Sequence, residues 1–372
     1  MSLLTGVGYA LAGPFLSLFL VKEVQAGPVA VGAFLLLSGL SSMLVSTVVG
    51  RLSDSRAIRR TLLAVAGVAG ALSWVLFAAV REYWLLLVVS MTLFALASSQ
   101  IPQMYAYARQ VLERSGSARA PLVMSGLRTT MSVAWVGGPP LGALLIAGGG
   151  FIGLFGASAA VYVLATAVIL VWLPKLGPAT PPAADVPAGV GMRREVVLAA
   201  SAFVLLQGAT SVGVVAMPLF VTEGLGGTTG DAGLVLGLCA ALEIPLMLGF
   251  GALAMRVNHR VLVLAGGAVA LAYYSVMLVT QATWQVMAAQ VLHAVVISAV
   301  MGVGISYFQD LAPDRPGYAS TLFTNTYKTA TMLSGPLLGL AQHLGYRTAY
   351  GMGLIMSVLG VALLLAARRP AR

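Results

Sequence analysis

The chain has 372 residues, of which 59% are apolar and only 9% charged, and it carries a net charge of +10. A water-soluble domain holds about 25% charged residues, so the greater part of this surface cannot face water. The basic excess lies in loops between apolar stretches, which marks membrane topology rather than a nucleic-acid stripe. One cysteine, Cys239, lies within an apolar stretch, and three histidines (His259, His293 and His343) are scattered. That pattern excludes a disulfide framework and shows no zinc spacing.

Apolar runs of membrane-crossing length follow one another along the chain. They cover residues 2–21, 28–50, 61–80, 84–106, 122–147, 151–173, 196–221, 231–253, 261–280, 285–308, 319–342 and 347–367. About 20 apolar residues are needed to cross a hydrocarbon core, and with water excluded each must satisfy its own backbone as helix. No Lys or Arg precedes the first run and no small-residue cleavage site follows it, so it reads as a membrane helix rather than a secretory signal. The Pro-, Gly- and Ala-rich stretch 174–195 reads as a linker. The expected organisation is a six-helix half (1–173), the linker (174–195), a second six-helix half (196–367) and a short tail (368–372). The fold class is therefore an all-α integral membrane protein with twelve transmembrane helices in two repeats.

Charge asymmetry orients the spans. Eighteen Lys and Arg fall on one side and three (Lys22, Arg81, Arg347) on the other, which places both termini and the linker in the cytoplasm. The halves also repeat. A shift of 201 lays VGAFLLLSGL (31–40) on AGLVLGLCAA (232–241), Gly50 on Gly251 and Arg59 on Arg260. GPPLG (138–142) is answered by GPLLG (335–339). Parallel six-helix repeats place a substrate near the bilayer midplane.

Between the second and third spans, Gly50-Arg51-Leu52-Ser53-Asp54-Ser55-Arg56-Ala57-Ile58-Arg59-Arg60 resembles the signature loop of the major facilitator superfamily, G-x-x-x-D-R/K-x-G-x-R/K-R/K. Gly50, Asp54, Arg59 and Arg60 are kept; Ser55 and Ala57 depart from the pattern. The glycine would permit close helix packing, and Asp54 could pair with basic groups to hold a cytoplasmic gate shut. Six further stretches, SLFLVKEV (17–24), IPQMYAYAR (101–109), AWVGGPPL (134–141), ALEIPLML (241–248), YFQDLAP (307–313) and TLFTNTY (321–327), are similar to the bacterial sugar efflux transporters. The resemblance implies a multi-pass protein of the bacterial inner membrane that exports small sugars or glycosides, exchanging them for protons. It leaves the individual sugar unspecified. The implied partners are a sugar, protons and the bilayer, with a monomer as the working unit and no cofactor.

Polar residues that a lipid-facing helix would reject are the functional candidates. Glu243, halfway along the eighth span, is the candidate proton-coupling group; the alternative is a structural carboxyl near the bend at Pro245. Arg128, Ser132 and Trp135 share one helical face, where Arg128 could bond sugar hydroxyls and Trp135 stack on a ring, or Arg128 could simply snorkel. Thr321, Asn325 and Lys328 form the matching face in the eleventh span. Gln100, Gln103 and Tyr107, then Gln207 with Ser211, then His293, complete the candidates for substrate binding; amides bond hydroxyls well but also glue membrane helices together. Gln309 and Asp310 read as a gate or cap.

Three other readings are weaker. Gly148, Gly150 and Gly153 fit G-x-G-x-x-G but lack the strand that a dinucleotide site requires. An enzyme is disfavoured, since neither H-E-x-x-H nor G-x-S-x-G occurs. A multidrug or other metabolite exporter, for which the 16 methionines speak, is the alternative within the transporter class.

Overall fold

The computed structural model describes residues 1–55, 58–115, 120–174, 176, 194–312 and 316–367, with side chains also undefined at 54, 55, 113, 120–122, 124, 125, 128, 316 and 317. The described residues are helical almost throughout. We label α1 Ser2–Lys22, α2 Pro28–Ser53, α3 Arg59–Ala79 and α4 Tyr83–Leu112. Ala120–Trp172 contains one non-helical residue, Gly150 (φ 61°, ψ −163°), which separates α5 from α6. That backbone conformation is essentially reserved for glycine, so the supposed dinucleotide fingerprint is the turn between two helices. Then follow α7 Arg194–Gly224, α8 Thr229–Ala254, α9 His259–Val279 and α10 Thr283–Leu311, α11 Pro316–Leu344, and α12 Thr348–Ala366.

Among the described residues ten segments are long and apolar enough to cross a membrane. One of them is the pair α5–α6, and α11, with 29 residues, is helical but more polar than the rest. Counted this way, the described residues make twelve rods. Three of them carry a π-helical segment: Ser90–Phe94 in α4, Phe220–Gly224 in α7 and Ser298–Gly302 in α10. Such bulges re-aim side chains and often sit at functional sites.

The chain divides into two compact units, one of Met1–Ala26 with Leu37–Ala184 and one of Gly27–Leu36 with Asp185–Arg372. In the first unit small residues let helices approach closely. A Cβ on Gly138 of α5 would stand 2.5 Å from the Cβ of Ala10 in α1. Beside this seam lies an aromatic core: Phe155 packs on Phe19 at 4.8 Å and on Trp74 at 5.4 Å, and Trp74 meets Phe94 at 5.2 Å. In the second unit Gly335 and Gly339 of α11 press on Gly32, so that a Cβ on Gly335 would lie 2.8 Å from the Gly32 carbonyl oxygen. The GPPLG and GPLLG segments are thus packing surfaces within their own units.

The outward faces are apolar. Val65, Val68, Leu72 and Val75 follow one another along one exposed face of α3, each 45–50% exposed. In water that stripe would be an association site; in lipid it is the solvent-facing side. Trp84 and Trp284, at the first turns of α4 and α10, are 75% and 67% exposed, as expected of interfacial anchors.

The helices refine the repeat. α2 and α8 begin 201 residues apart, but α3 and α9 begin 200 apart, as do α4 and α10. The one-residue difference falls in the α2–α3 and α8–α9 connections. Arg260 therefore corresponds to Arg60 rather than to Arg59, and Arg59 to His259. The side chains agree: Arg60 donates to the Leu170 carbonyl near the end of α6, and Arg260 to the Leu364 carbonyl near the end of α12.

Candidate functional site

In the second unit Glu243 is half-buried on α8, two residues before Pro245. One turn earlier on the same helix the Cys239 thiol donates to Glu243 Oε1 at 3.5 Å. The Cys239 sulfur also lies 3.5 Å from Nδ1 of His293 on α10. His293 is 2% exposed, and its Nδ1 is 3.2 Å from Gln290 Oε1. The Gln290 amide nitrogen is spent on the Val286 carbonyl at 3.0 Å. The imidazole stacks flat on Tyr273 of α9, with centroids 4.5 Å apart and planes at 3°. Three helices thus converge on one connected polar group inside an apolar unit, and among the described residues no Lys or Arg pairs with Glu243.

The other candidates of this unit lie on α7 and α11. Gln207 is 1% exposed; its Oε1 accepts from Thr326 at 3.0 Å while its Nε2 has no partner. Asn325 is exposed and Lys328 half-buried on α11. Asp310, at the end of α10, lies 2.6 Å from His259 Nδ1.

In the first unit Gln100 is fully buried and neither amide atom has a partner. It faces α3 across Gly67, where a Cβ would stand 2.9 Å from Gln100 Nε2. Gln103 is 4% exposed with its Oε1 unpaired. Buried polar atoms nearly always find partners, so this pair of amides is the polar feature of the unit most in need of one. Tyr107 differs: its hydroxyl donates to the Pro174 carbonyl at 2.9 Å, which ties α4 to the end of α6. Trp135 is half-buried and meets Tyr9 of α1 edge-on at 6.2 Å, and Tyr9 stacks over Phe94 at 6.5 Å. The side chain of Arg128 lies outside the described residues.

The signature loop is described only in part. Among the described residues nothing lies within 4 Å of a Cβ on Gly50. The Asp54 side chain lies outside the described residues. Arg59 is buried, donating to the Ala106 carbonyl at 3.1 Å and to Gln110 Oε1 at 2.9 Å. Arg60 reaches Leu170, so both basic groups are engaged within their own unit.

Sequence reasoning passed over Cys239, Gln290, Tyr273 and Tyr9. A signal existed for two of them: Cys239 is i−4 to Glu243 and Gln290 is i−3 to His293, spacings that put side chains in contact on a helix. Tyr273 and Tyr9 are joined to the candidates only by tertiary packing.

The family described as Major Facilitator Superfamily matches residues 1–283 and 198–372. Sugar efflux transporter A of Dickeya chrysanthemi is 35% identical, covering 95% of this chain and 91% of that protein. Sugar efflux transporter B of Salmonella typhimurium (strain LT2) is 34% identical, covering 96% and 91%. The chain belongs to the sugar efflux transporters of the major facilitator superfamily. It is accordingly a multi-pass membrane transporter and not an enzyme. The crystal structure of the nucleoside transporter NupG superposes with a TM-score of 0.74 at 14% identity, over 98% of this chain and 96% of that one. A bacterial homologue of the lysosomal transporter Spinster does so with a TM-score of 0.75 at 12% identity, over 98% and 94%. These two likenesses show the fold alone.

Proposed function

We propose that this transporter exports small sugars or glycosides across the bacterial inner membrane in exchange for protons, by alternating access, with both termini in the cytoplasm. The observation that carries the reading is the half-buried carboxyl of Glu243, held by Cys239 and without a basic partner among the described residues. A carboxyl in that setting is costly as a bare charge, and cycling between protonated and ionised forms gives it a use. The unpaired amides of Gln100, Gln103 and Gln207 support a hydroxyl-rich substrate, because amides both donate to and accept from hydroxyl groups. The Tyr9–Trp135 corner offers an aromatic face for the apolar side of a sugar ring. Arg128, His293, Asn325 and Lys328 complete the proposed binding set, and Gly50, Asp54, Arg59, Arg60 and Asp310 the cytoplasmic end that closes. The relatives named sugar efflux transporters support the substrate class, and the Lys and Arg asymmetry supports the orientation. A monomer suffices for this scheme.

The test is uptake of labelled lactose and glucose into inverted membrane vesicles with and without an acidic lumen. Accumulation that requires the gradient and collapses with an uncoupler is the expected result. Vesicles with verified expression that take up neither sugar would overturn the substrate class.

A further inference from the structure

The hydrogen bonds around His293 fix which of its nitrogens carries the proton. Gln290 Nε2 is committed to the Val286 carbonyl, so the atom facing His293 Nδ1 is the carbonyl oxygen Oε1, an acceptor. An acceptor there requires Nδ1–H, because the tautomer follows the bond that the ring nitrogen makes. On its other side Nδ1 meets the Cys239 sulfur, whose own proton points to Glu243 Oε1. The single Nδ1–H is thus shared between Gln290 Oε1, at 3.2 Å, and the sulfur, at 3.5 Å, and the sulfur in turn gives to Glu243. What remains is His293 Nε2, a lone pair buried without any partner.

From this chain we infer that Cys239 transmits the protonation state of Glu243 to His293, and so decides whether Nε2 accepts or donates a hydrogen bond. With Glu243 ionised, the thiol proton points to the carboxylate, Nδ1 holds the imidazole proton, and Nε2 accepts from a substrate hydroxyl. When a proton enters at Nε2, the Nδ1 proton passes to the Cys239 sulfur as the thiol proton passes to the Glu243 carboxylate. The new carboxyl O–H then donates to the sulfur, the thiol hydrogen points back to Nδ1, and Nε2–H now donates. One proton is taken up in all, the imidazole is neutral in both states, and no electrons are exchanged. Gln290 is a positioning residue: its carbonyl oxygen favours the Nδ1–H form and so sets the resting state. Among the described residues the other titratable groups packed around this relay are Tyr273 and Tyr274 of α9 and Tyr350 of α12. The inference rests on the proposed role of Glu243 and adds how its proton is felt by the substrate.

The experiment uses the full-length protein in inverted vesicles and measures two quantities with labelled lactose or glucose: accumulation driven by an acidic lumen, and counterflow without a gradient. In Cys239→Ala the ratio of driven accumulation to counterflow falls about tenfold, because the split between the two readouts isolates coupling from binding. Cys239→Ser restores the ratio, since a hydroxyl also donates and accepts. A ratio that stays at the parent value in Cys239→Ala, while Glu243→Gln loses driven accumulation, overturns the transmission through Cys239 and leaves the proposed function standing. Absence of sugar counterflow in the parent protein strikes the proposed function instead. A Cys239→Ser variant that behaves like Cys239→Ala marks a packing role and overturns the inference too. Gln290→Leu supplies a second readout: without the carbonyl that holds Nδ1–H, the pH at which counterflow is half-maximal shifts. An unmoved pH profile in that variant counts against the inference in the same way.

Discussion

The starts of α3 and α9 are equivalent positions that the two repeats use differently. In the first repeat Arg59 bonds Gln110 at 2.9 Å; 200 residues later His259 meets Asp310 at 2.6 Å. One pairing joins a guanidinium to a neutral amide, and the other an imidazole to a carboxyl group. The same division runs through the interior. Among the described candidates, the first unit holds uncharged amides and aromatic rings (Gln100, Gln103, Tyr9, Trp135), whereas the second adds Glu243, Cys239 and His293 to its own amides, Gln207 and Gln290. A duplicated scaffold has kept its helix ties, Arg60 to α6 and Arg260 to α12, while among the described residues the connected carboxyl, thiol and imidazole stand in one copy. On the proposed function, the first copy contributes amides and an aromatic face for the sugar, and the second contributes the proton-carrying group.

That contrast can be broken by substitution. The largest effect belongs to Glu243→Gln: proton-driven sugar accumulation is abolished while sugar exchange partly persists, measured as gradient-driven uptake beside counterflow. Driven transport at the parent level in this variant would remove the proton from the second copy. Arg59→Leu comes next. It deletes two hydrogen bonds made by a buried cation, each worth about 1.5–3 kcal/mol, and lowers the unfolding temperature of purified protein in detergent. Trp135→Ala sharpens the first copy's role: losing one stacking face costs about 0.5–1.5 kcal/mol, which appears as an increase in the KM for sugar of up to about tenfold, with the proton dependence retained. The smallest effect is that of His259→Ala. Its partner Asp310 is 55% exposed, and such pairs contribute about 0–1 kcal/mol, so thermal stability shifts little. If His259→Ala destabilised the protein as much as Arg59→Leu does, the two ties would be equivalent and the contrast between copies would fail.

The architecture was legible in the sequence because membrane helices are read by length and apolarity alone, and Gly150 and the GPPLG and GPLLG segments marked a break and two packing seams. α11 shows where that signal weakens: Thr321, Asn325 and Lys328 make it polar, yet it is a continuous helix of 29 residues. The repeat was visible but one residue out of register after α2, because the identity of Gly50 with Gly251 cannot reveal a deletion in the connection that follows. Site residues were harder. Polar side chains in apolar spans stood out one by one, as Glu243 and His293 did, but spacing along a single helix cannot say that α8 and α10 bring them to the same thiol. Nor could it say that Tyr107 spends its hydroxyl on Pro174, or that Arg59 turns back to α4.

Trp84 and Trp284 mark corresponding ends of the two repeats, each at the first turn of a helix and largely exposed. Indole rings settle at the headgroup boundary, so in each repeat this end is pinned in depth. At the opposite end the guanidinium groups of Arg60 and Arg260 are tied to carbonyls of α6 and α12 and are not free to reach outward. A bilayer thicker or thinner than the distance between these anchors therefore meets two fixed guanidinium levels, and only the other basic side chains of that end can adjust to it. Transport in vesicles of graded acyl-chain length should accordingly pass through a narrow optimum.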